Sequence, residues 1–298
     1  MISVFGSINM DLIATAERLP LPGETVHGDS FSTAPGGKGA NQALAATRAG
    51  ASVKMAGAVG QDNFAEPALE LLKSAGTDLK FVKSVEGPTG TALILVGNDA
   101  ENMIAVIAGA NGKVSVADVE PLLNSMNKGD SILLQMEISV DAVKAALEGA
   151  KTRGIRSVFN IAPMSDDVID IAPLADIIVA NETEFDLLIG KGTLSAEDRI
   201  IAMRNYHQKT NRSLVITLGG DGVIAIDQGQ EYSARGLTIK PIDTVGAGDT
   251  FCGYFTQALD AGFDFGSALE RAAIAGSLAC LKAGAQPAIP MADDLDAL

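Results

Sequence analysis

Short runs of apolar residues alternate with stretches of helical periodicity along the chain. Runs at 2–5, 53–59, 131–135, 157–160, 176–180 and 214–217 are rich in Val, Ile, Leu and Ala. Strands buried on both faces read this way. Between them, 41–49, 64–75, 141–153 and 196–208 carry apolar positions three and four apart, which predicts amphipathic helices. The alternation predicts an α/β fold with a mostly parallel central sheet covered by helices on both faces. In such sheets ligands bind at the carboxyl ends of the strands.

Two segments break the rhythm. Residues 11–33 have few helix signals and contain Leu19-Pro20-Leu21-Pro22-Gly23, and 91–107 reads as two strands around a polar turn at 97–102. Neither fits a crossover helix. Together they predict a small β-sheet lid beside the large sheet, and a sheet of that size packs on something else. Further on, 222–226 and 231–233 flank Gln228-Gly229, an edge hairpin, and helices are predicted at 250–260 and 267–282. The reading is one α/β unit over 1–298, with a lid formed by about 11–33 and 91–107.

Charge narrows the chemistry. The net charge is −15 and no basic stripe is present, which argues against a nucleic-acid partner. A bound phosphate must be held by local amides and metal ions, because a general positive field is missing. Cys252 and Cys280 have no CxxC spacing, so a disulfide scaffold or zinc site is not expected. Residues 2–6 read as a strand and not as a signal peptide, and no apolar run approaches the ~18 residues of a membrane span. The expected compartment is the cytosol.

The strongest local signal is Asp243-Thr244-Val245-Gly246-Ala247-Gly248-Asp249, which opens into an apolar helical pattern. Amides at Gly246, Ala247 and Gly248 would point at an anion, aided by the helix dipole. A carboxylate beside a phosphate site suits a base for an incoming nucleophile, here Asp249. On local pattern alone Asp249 reads equally well as a helix N-cap. The spacing is neither GxxxxGK[ST] nor GxGxxG. A second glycine cluster, Gly36-Gly37-Lys38-Gly39, also opens a helix, and Asn41 on its first turn offers a donor and an acceptor for vicinal hydroxyls. By itself this cluster reads first as a plain strand–helix turn. In an extended segment Asn9 and Asp11 point the same way and can grip a diol, although Asp11 is equally a loop cap. Glu137 follows an apolar strand. Glu184, in Asn181-Glu182-Thr183-Glu184, is an ordinary helix-start acid or an aid to a hydrated Mg²⁺.

Taken together, these segments resemble the ribokinase-like (PfkB) carbohydrate kinases. The match runs in order through 6–11, 22–24, 36–43, the lid hairpin, 133–137, 181–184, 217–222, 243–251 and 284–290. The resemblance implies phosphoryl transfer from ATP to the primary hydroxyl of a compact sugar, with D-ribose foremost. It implies sugar contacts from Asn9, Asp11, Gly37, Lys38, Gly39, Asn41 and Glu137. ATP would be held by Asn181, Thr217, Gly219, Gly220 and Gly222. Asp249 would be the base beside the Gly246–Gly248 anion hole. Potassium would lie among Asp243 and the carbonyls of Val245, Ala279, Lys282 and Gly284, and Mg²⁺ would be held through water by Glu184. A homodimer through the lids is also implied. The chain departs from the pattern at Ala288, where a Ser hydroxyl often completes the potassium shell. It departs also at Ala273, where a polar side chain often borders the adenine, and at Ile107 in the lid, where a relative has His. Rivals are a relative acting on a ketohexose, deoxyribose or a nucleoside, and a non-catalytic sugar sensor. The chain has 10 Phe, 3 Tyr and no Trp with which to stack a base, and a sensor needs no Asp249.

Overall fold

The computed structural model describes residues 1–98 and 101–297. Asp99 and Ala100, within the predicted lid turn, and Leu298 lie outside the described residues. Strands are β1 Ile2–Phe5, β2 Asn9–Ala16, β3 Gly28–Gly36, β4 Val53–Val59, β5 Asp78–Ser84, β6 Gly90–Gly97 and β7 Asn102–Ile107. They continue with β8 Ser131–Leu134, β9 Arg156–Asn160, β10 Ile177–Asn181, β11 Ser213–Thr217, β12 Val223–Asp227 and β13 Gln230–Ala234. Helices are α1 Lys38–Arg48, α2 Ala65–Ala75, α3 Val119–Leu123, α4 Val140–Arg153 and α5 Val168–Ile171, then α6 Glu182–Leu188, α7 Ala196–Thr210, α8 Ala247–Asp260, α9 Phe265–Ala279 and α10 Ala292–Asp296.

The large sheet runs β13-β12-β11-β10-β9-β8-β1-β4-β5. Its pairs are parallel apart from the β11–β12–β13 edge. Alternation along each strand feeds two cores. Ile2, Val4, Val158, Val179 and Val215 face α1, α2, α8 and α9. Phe5, Phe159, Ile178, Leu214 and Ile216 face α3 to α7. This two-sided burial is why the strand sequences are nearly continuous in apolar residues. The predicted edge hairpin is present, with Gln228 at φ 48° and Gly229 at φ 80°, the left-handed pair of a tight hairpin turn. Strand β5 has a run broken by Asp78, Lys80 and Lys83, and no strand was expected there.

The lid is a second sheet of order β3-β2-β6-β7. It joins β2 and β3 with β6 and β7, as the two irregular segments predicted. The last long helix was expected to reach 282 but ends at Ala279. Beyond it the Cys280 carbonyl accepts the amides of Ile242 (2.8 Å) and Asp243 (3.4 Å), so the chain turns there to pin the loop before α8. Among the described residues no helix is long and apolar enough to cross a membrane.

Candidate active site

Strand order reverses at β1, with β4 on one side and β8 on the other. A crevice forms at the carboxyl end of such a switch point. Here β1 runs through 6–8 into the lid strand β2, and β8 runs into Gln135 and Glu137. Helix α1 sits directly on this turn. The Ala40 amide donates to Ser7 O at 2.9 Å, and a Cβ on Gly39 would lie 2.5 Å from the Ser7 nitrogen. Gly39 therefore allows the close approach, while its own amide is engaged by Ser7 Oγ at 3.2 Å. Ser7 Oγ in turn donates to Glu137 Oε2 at 2.6 Å, and the Lys38 amide reaches the same oxygen at 3.0 Å. One Glu137 oxygen is thus anchored, and the other accepts no hydrogen bond from a described residue.

Asn9 and Asp11 stand two apart on β2, on one face as expected. Asn9 Oδ1 accepts from Asn111 Nδ2 at 2.7 Å, and Asn111 is itself held by the Ile8 main chain at 2.9 and 3.2 Å. Asp11 accepts no hydrogen bond from a described residue. Burial, then the charges of Glu137 and Asp249, push its carboxyl up to about 7. It is a loaded acceptor without a donor, facing other acids.

Asp249 lies within the first turn of α8, whose N-cap is Gly246, so it is not the cap. Its Oδ2 accepts from Asn41 Nδ2 at 2.9 Å and its Oδ1 from Gln42 Nε2 at 2.8 Å. Asn41 therefore uses its donor on Asp249, and its buried Oδ1 has no partner among the described residues. Both functions of Asn41 were expected to serve a diol; one of its N–H groups is instead engaged on Asp249, and its Oδ1 has no described partner.

At the N-terminus of α8 the amides of Gly246, Gly248 and Asp249 donate to no described residue, as helix starts leave them. The Ala247 amide, expected in the anion hole, bonds to Thr244 O at 3.3 Å. Gly246 has φ 77°, and nothing lies within 4 Å of where a Gly248 side chain would begin. These amides face a cavity of about 140 Å³ lined also by Lys38, Asn160, Asn181, Glu184 and Asp249. The Lys38 ammonium is pushed up, first by Asp249 and then, after an opposing burial effect, by Glu137 and Glu184. Expected among the sugar contacts, Lys38 lines this cavity as well. Asn181 and Glu184 cap α6 reciprocally at 2.8 and 2.9 Å, so the ordinary reading of Glu184 holds while it also lines this cavity. Burial raises its carboxyl.

A larger cavity of about 620 Å³ continues from there, lined by Asn181, Thr217, Gly219, Gly220 and Gly222 on one side and Ala247, Phe251, Ala273, Gly276 and Ser277 on the other. The expected ATP residues converge on it. At Ala273 only a methyl is offered, and Ser277 Oγ is already engaged by Ala273 O and the Leu237 amide.

Asp243 ties two loops together, accepting from Val245 N at 3.0 Å and Gly284 N at 2.8 Å. The carbonyls of Val245, Ala279, Lys282 and Gly284 accept no hydrogen bond from a described residue. Ala288 is buried and adds no side-chain oxygen. Among the described residues no group of three or more His, Cys, Asp or Glu is arranged to hold a metal by itself.

Sequence reasoning assigned no role to Ser7, Gln42, Asn111, Gln135 or Asn160. The available signal was a polar residue closing an apolar strand at its carboxyl end, as Gln135 follows β8 and Asn160 ends β9.

The cleft joins a grip for hydroxyls, a held carboxylate and an open amide nest beside a long cavity, which defines a phosphotransferase acting on a small alcohol. The family model described as pfkB family carbohydrate kinase matches residues 1–292, and the chain belongs to that family. It is 34% identical over 293 residues to a ribokinase of Haemophilus influenzae, covering 97% of this chain and 95% of the relative. It is 36% identical over 298 residues to a ribokinase of Bacillus subtilis, covering 100% and 98%. An Arabidopsis thaliana ribokinase solved with ribose and ATP superposes with a TM-score of 0.88 at 30% identity, covering 99% of this chain and 97% of that one.

Proposed function

We propose that the chain transfers the γ-phosphoryl group of ATP to the primary hydroxyl of D-ribose, giving D-ribose 5-phosphate and ADP. The observation that carries this reading is the place of Asp249. Its carboxylate is held by Asn41 and Gln42 on the hydroxyl side, while its own helix opens free amides into the nucleotide cavity.

Asn9 through its amide nitrogen, Asn41 through Oδ1, Glu137 through its free oxygen and Asp11 grip the sugar hydroxyls. Gly37 and Gly39 allow the main chain to come close. Asp249 takes the proton as the hydroxyl oxygen attacks phosphorus. The amides of Gly246, Gly248 and Asp249 receive the charge that spreads over the phosphoryl oxygens, and Lys38 faces the same charge. Asn181, Thr217, Gly219, Gly220 and Gly222 hold the rest of ATP. Glu184 would hold Mg²⁺ through water, and that ion supplies neutralisation of the phosphate oxygens. Asp243 and the carbonyls of Val245, Ala279, Lys282 and Gly284 would hold potassium, which supplies electrostatic order to the loop bearing the anion hole. The lid excludes water from the transfer, and through the lids two copies form a homodimer. The reaction belongs in the cytosol, where ATP is available.

The test is ADP release by the purified protein with D-ribose, 2-deoxyribose, ketohexoses and nucleosides, with the wild type compared to Asp249→Asn. D-ribose should give the highest kcat/KM. Loss of a general base should lower kcat by ~10²–10⁴. A variant near wild-type kcat removes Asp249 from the role, and a better substrate elsewhere in the panel replaces ribose.

A further inference from the structure

The carboxylate proposed as the base is the end of a buried chain of carboxamides. Gln42 Nε2 donates to Asp249 Oδ1 at 2.8 Å, and Gln135 Nε2 donates to Gln42 Oε1 at 2.7 Å. Both glutamines are 0% exposed. Long polar side chains are seldom fully buried unless hydrogen-bonded; Gln42 is bonded at both ends of its carboxamide, and Gln135 through Nε2 alone, its Oε1 having no partner among the described residues. The backbone makes unusual room for this chain. A Cβ on Gly6 would collide with Gln135 Oε1. On α8, one turn past Asp249, a Cβ on Gly253 would lie 2.5 Å from Ala45 Cβ and 2.7 Å from the Gln42 carbonyl. The first glycine gives Gln135 its space at the end of β1. The second lets α1 and α8 approach closely enough for a carboxamide to span them.

The carboxylate torsion of aspartate is broad, with two equivalent orientations. Asn41 and Gln42 hold one oxygen each, which pins the plane. Asn41 belongs to α1 alone. Through Gln135, Gln42 refers that plane to the central sheet, at the switch point where the sugar residues are rooted. Around the carboxylate stand Asp11 from β2, Glu137 beyond β8 and Glu184 from α6, opposed by Lys38 from α1, with Cys252 on α8 itself. A free carboxylate in such a field would swing toward Lys38 and away from the acids.

We propose that Gln42 and Gln135 are positioning residues for phosphoryl transfer: their carboxamide relay locks the plane of the Asp249 carboxylate to the central sheet. This rests on Asp249 being the base. The relay touches neither sugar nor nucleotide, so its removal acts on kcat and leaves binding alone.

The experiment compares the wild type, Gln42→Met and Gln135→Met, which keep side-chain length and remove the amide donor. The measurements are kcat, KM for ATP, ribose affinity by calorimetry and thermal midpoint. Gln42→Met should lower kcat by ~10²-fold, the scale of an ångström-sized misplacement, with ribose affinity and KM for ATP within about twofold. Gln135→Met should lower kcat less, and the double variant should be no slower than Gln42→Met, because both losses run through one bond. Folded variants with wild-type kcat, or losses in binding equal to those in kcat, overturn the relay. If Gln42→Met does not fold, Gln135→Met decides alone by the same split. A wild type without transfer to any sugar overturns the proposed function and this inference with it. A wild type that turns over beside unaffected glutamine variants overturns only the relay.

Discussion

Asn111 Nδ2 donates to Asn9 Oδ1 at 2.7 Å across a sequence separation of 102 residues. The segment after the second sheet thereby sets which way the Asn9 amide, proposed to contact the sugar, faces. With its oxygen engaged, Asn9 presents its NH₂ to the cleft, as a donor for a hydroxyl oxygen. Replacing Asn111 by Leu frees Asn9 to flip and leaves the Ile8 amide unsatisfied. Ribose KM should rise ~10-fold, one net hydrogen bond by mutational measure, with kcat at saturation and KM for ATP nearly unchanged. Steady-state kinetics at varied ribose measure this, and an unchanged ribose KM removes Asn111 from the site.

If Asp11 contacts the sugar as proposed, ribose binding should depend on pH. Its carboxyl is raised to about 7, by burial first and then by Glu137 and Asp249. A carboxyl raised on folding contributes stability that is fully present below its unfolded value, near 3.8. That contribution falls as pH rises and is lost by about 7. Ribose reverses the preference, because its hydroxyls donate to the ionised form. Ribose should bind more tightly as pH rises from 6 to 8 and should release a proton on binding at pH 6.5. Calorimetry in two buffers of different ionisation enthalpy reads the release directly. Asp11→Asn should abolish it and weaken ribose by ~2–4 kcal/mol, about two charge-assisted bonds. Binding without proton release in the wild type would assign the effect elsewhere.

Asp243 couples the loop before α8 to the loop after α9, through Val245 N and Gly284 N. Potassium at the four unclaimed carbonyls should raise kcat, and sodium should raise it less. The requirement should be weaker than in a relative with Ser at position 288. Asp243→Ala should erase the activation along with most activity. Initial rates against KCl, balanced with tetramethylammonium at constant ionic strength, measure the response. A flat response would mean that the two loops are ordered by Asp243 alone.

Lid strands alternate their faces. The pairing register puts Phe31, Leu93 and Met103 on the face away from Asp11, and Ile104 and Val106 on the same face as Asp11. Phe31 is 69% exposed and Leu93 47%. An apolar surface of this kind calls for cover. Light scattering at micromolar concentration should give a dimer, and the pair Leu93→Glu with Ile104→Glu should give a monomer with raised ribose KM. A monomeric wild type would leave the lid as a cover only.

The amino-acid sequence by itself determined the central strands, because a strand buried on both faces must be apolar throughout, as in Ile177–Asn181 and Ser213–Thr217. It determined the two glycine turns, because Gly37 and Gly246 at φ 88° and 77° need a residue without a side chain. It also marked the lid as two segments outside the strand–helix rhythm. It did not show that Asn41 would donate to Asp249, that Lys38 would line one cavity with Glu184 and Asp249, or that the Ala247 amide would bond to Thr244. Gln42 reads locally as one more helix-forming polar residue, Gln135 as the end of a strand and Asn111 as part of a turn. Their partners stand 207, 93 and 102 residues away. No local periodicity records such a bond, because a carboxamide has the same sequence pattern whether water or a carboxylate receives it. Only the packing of α1 against α8 and of both on β1 excludes the water and decides which.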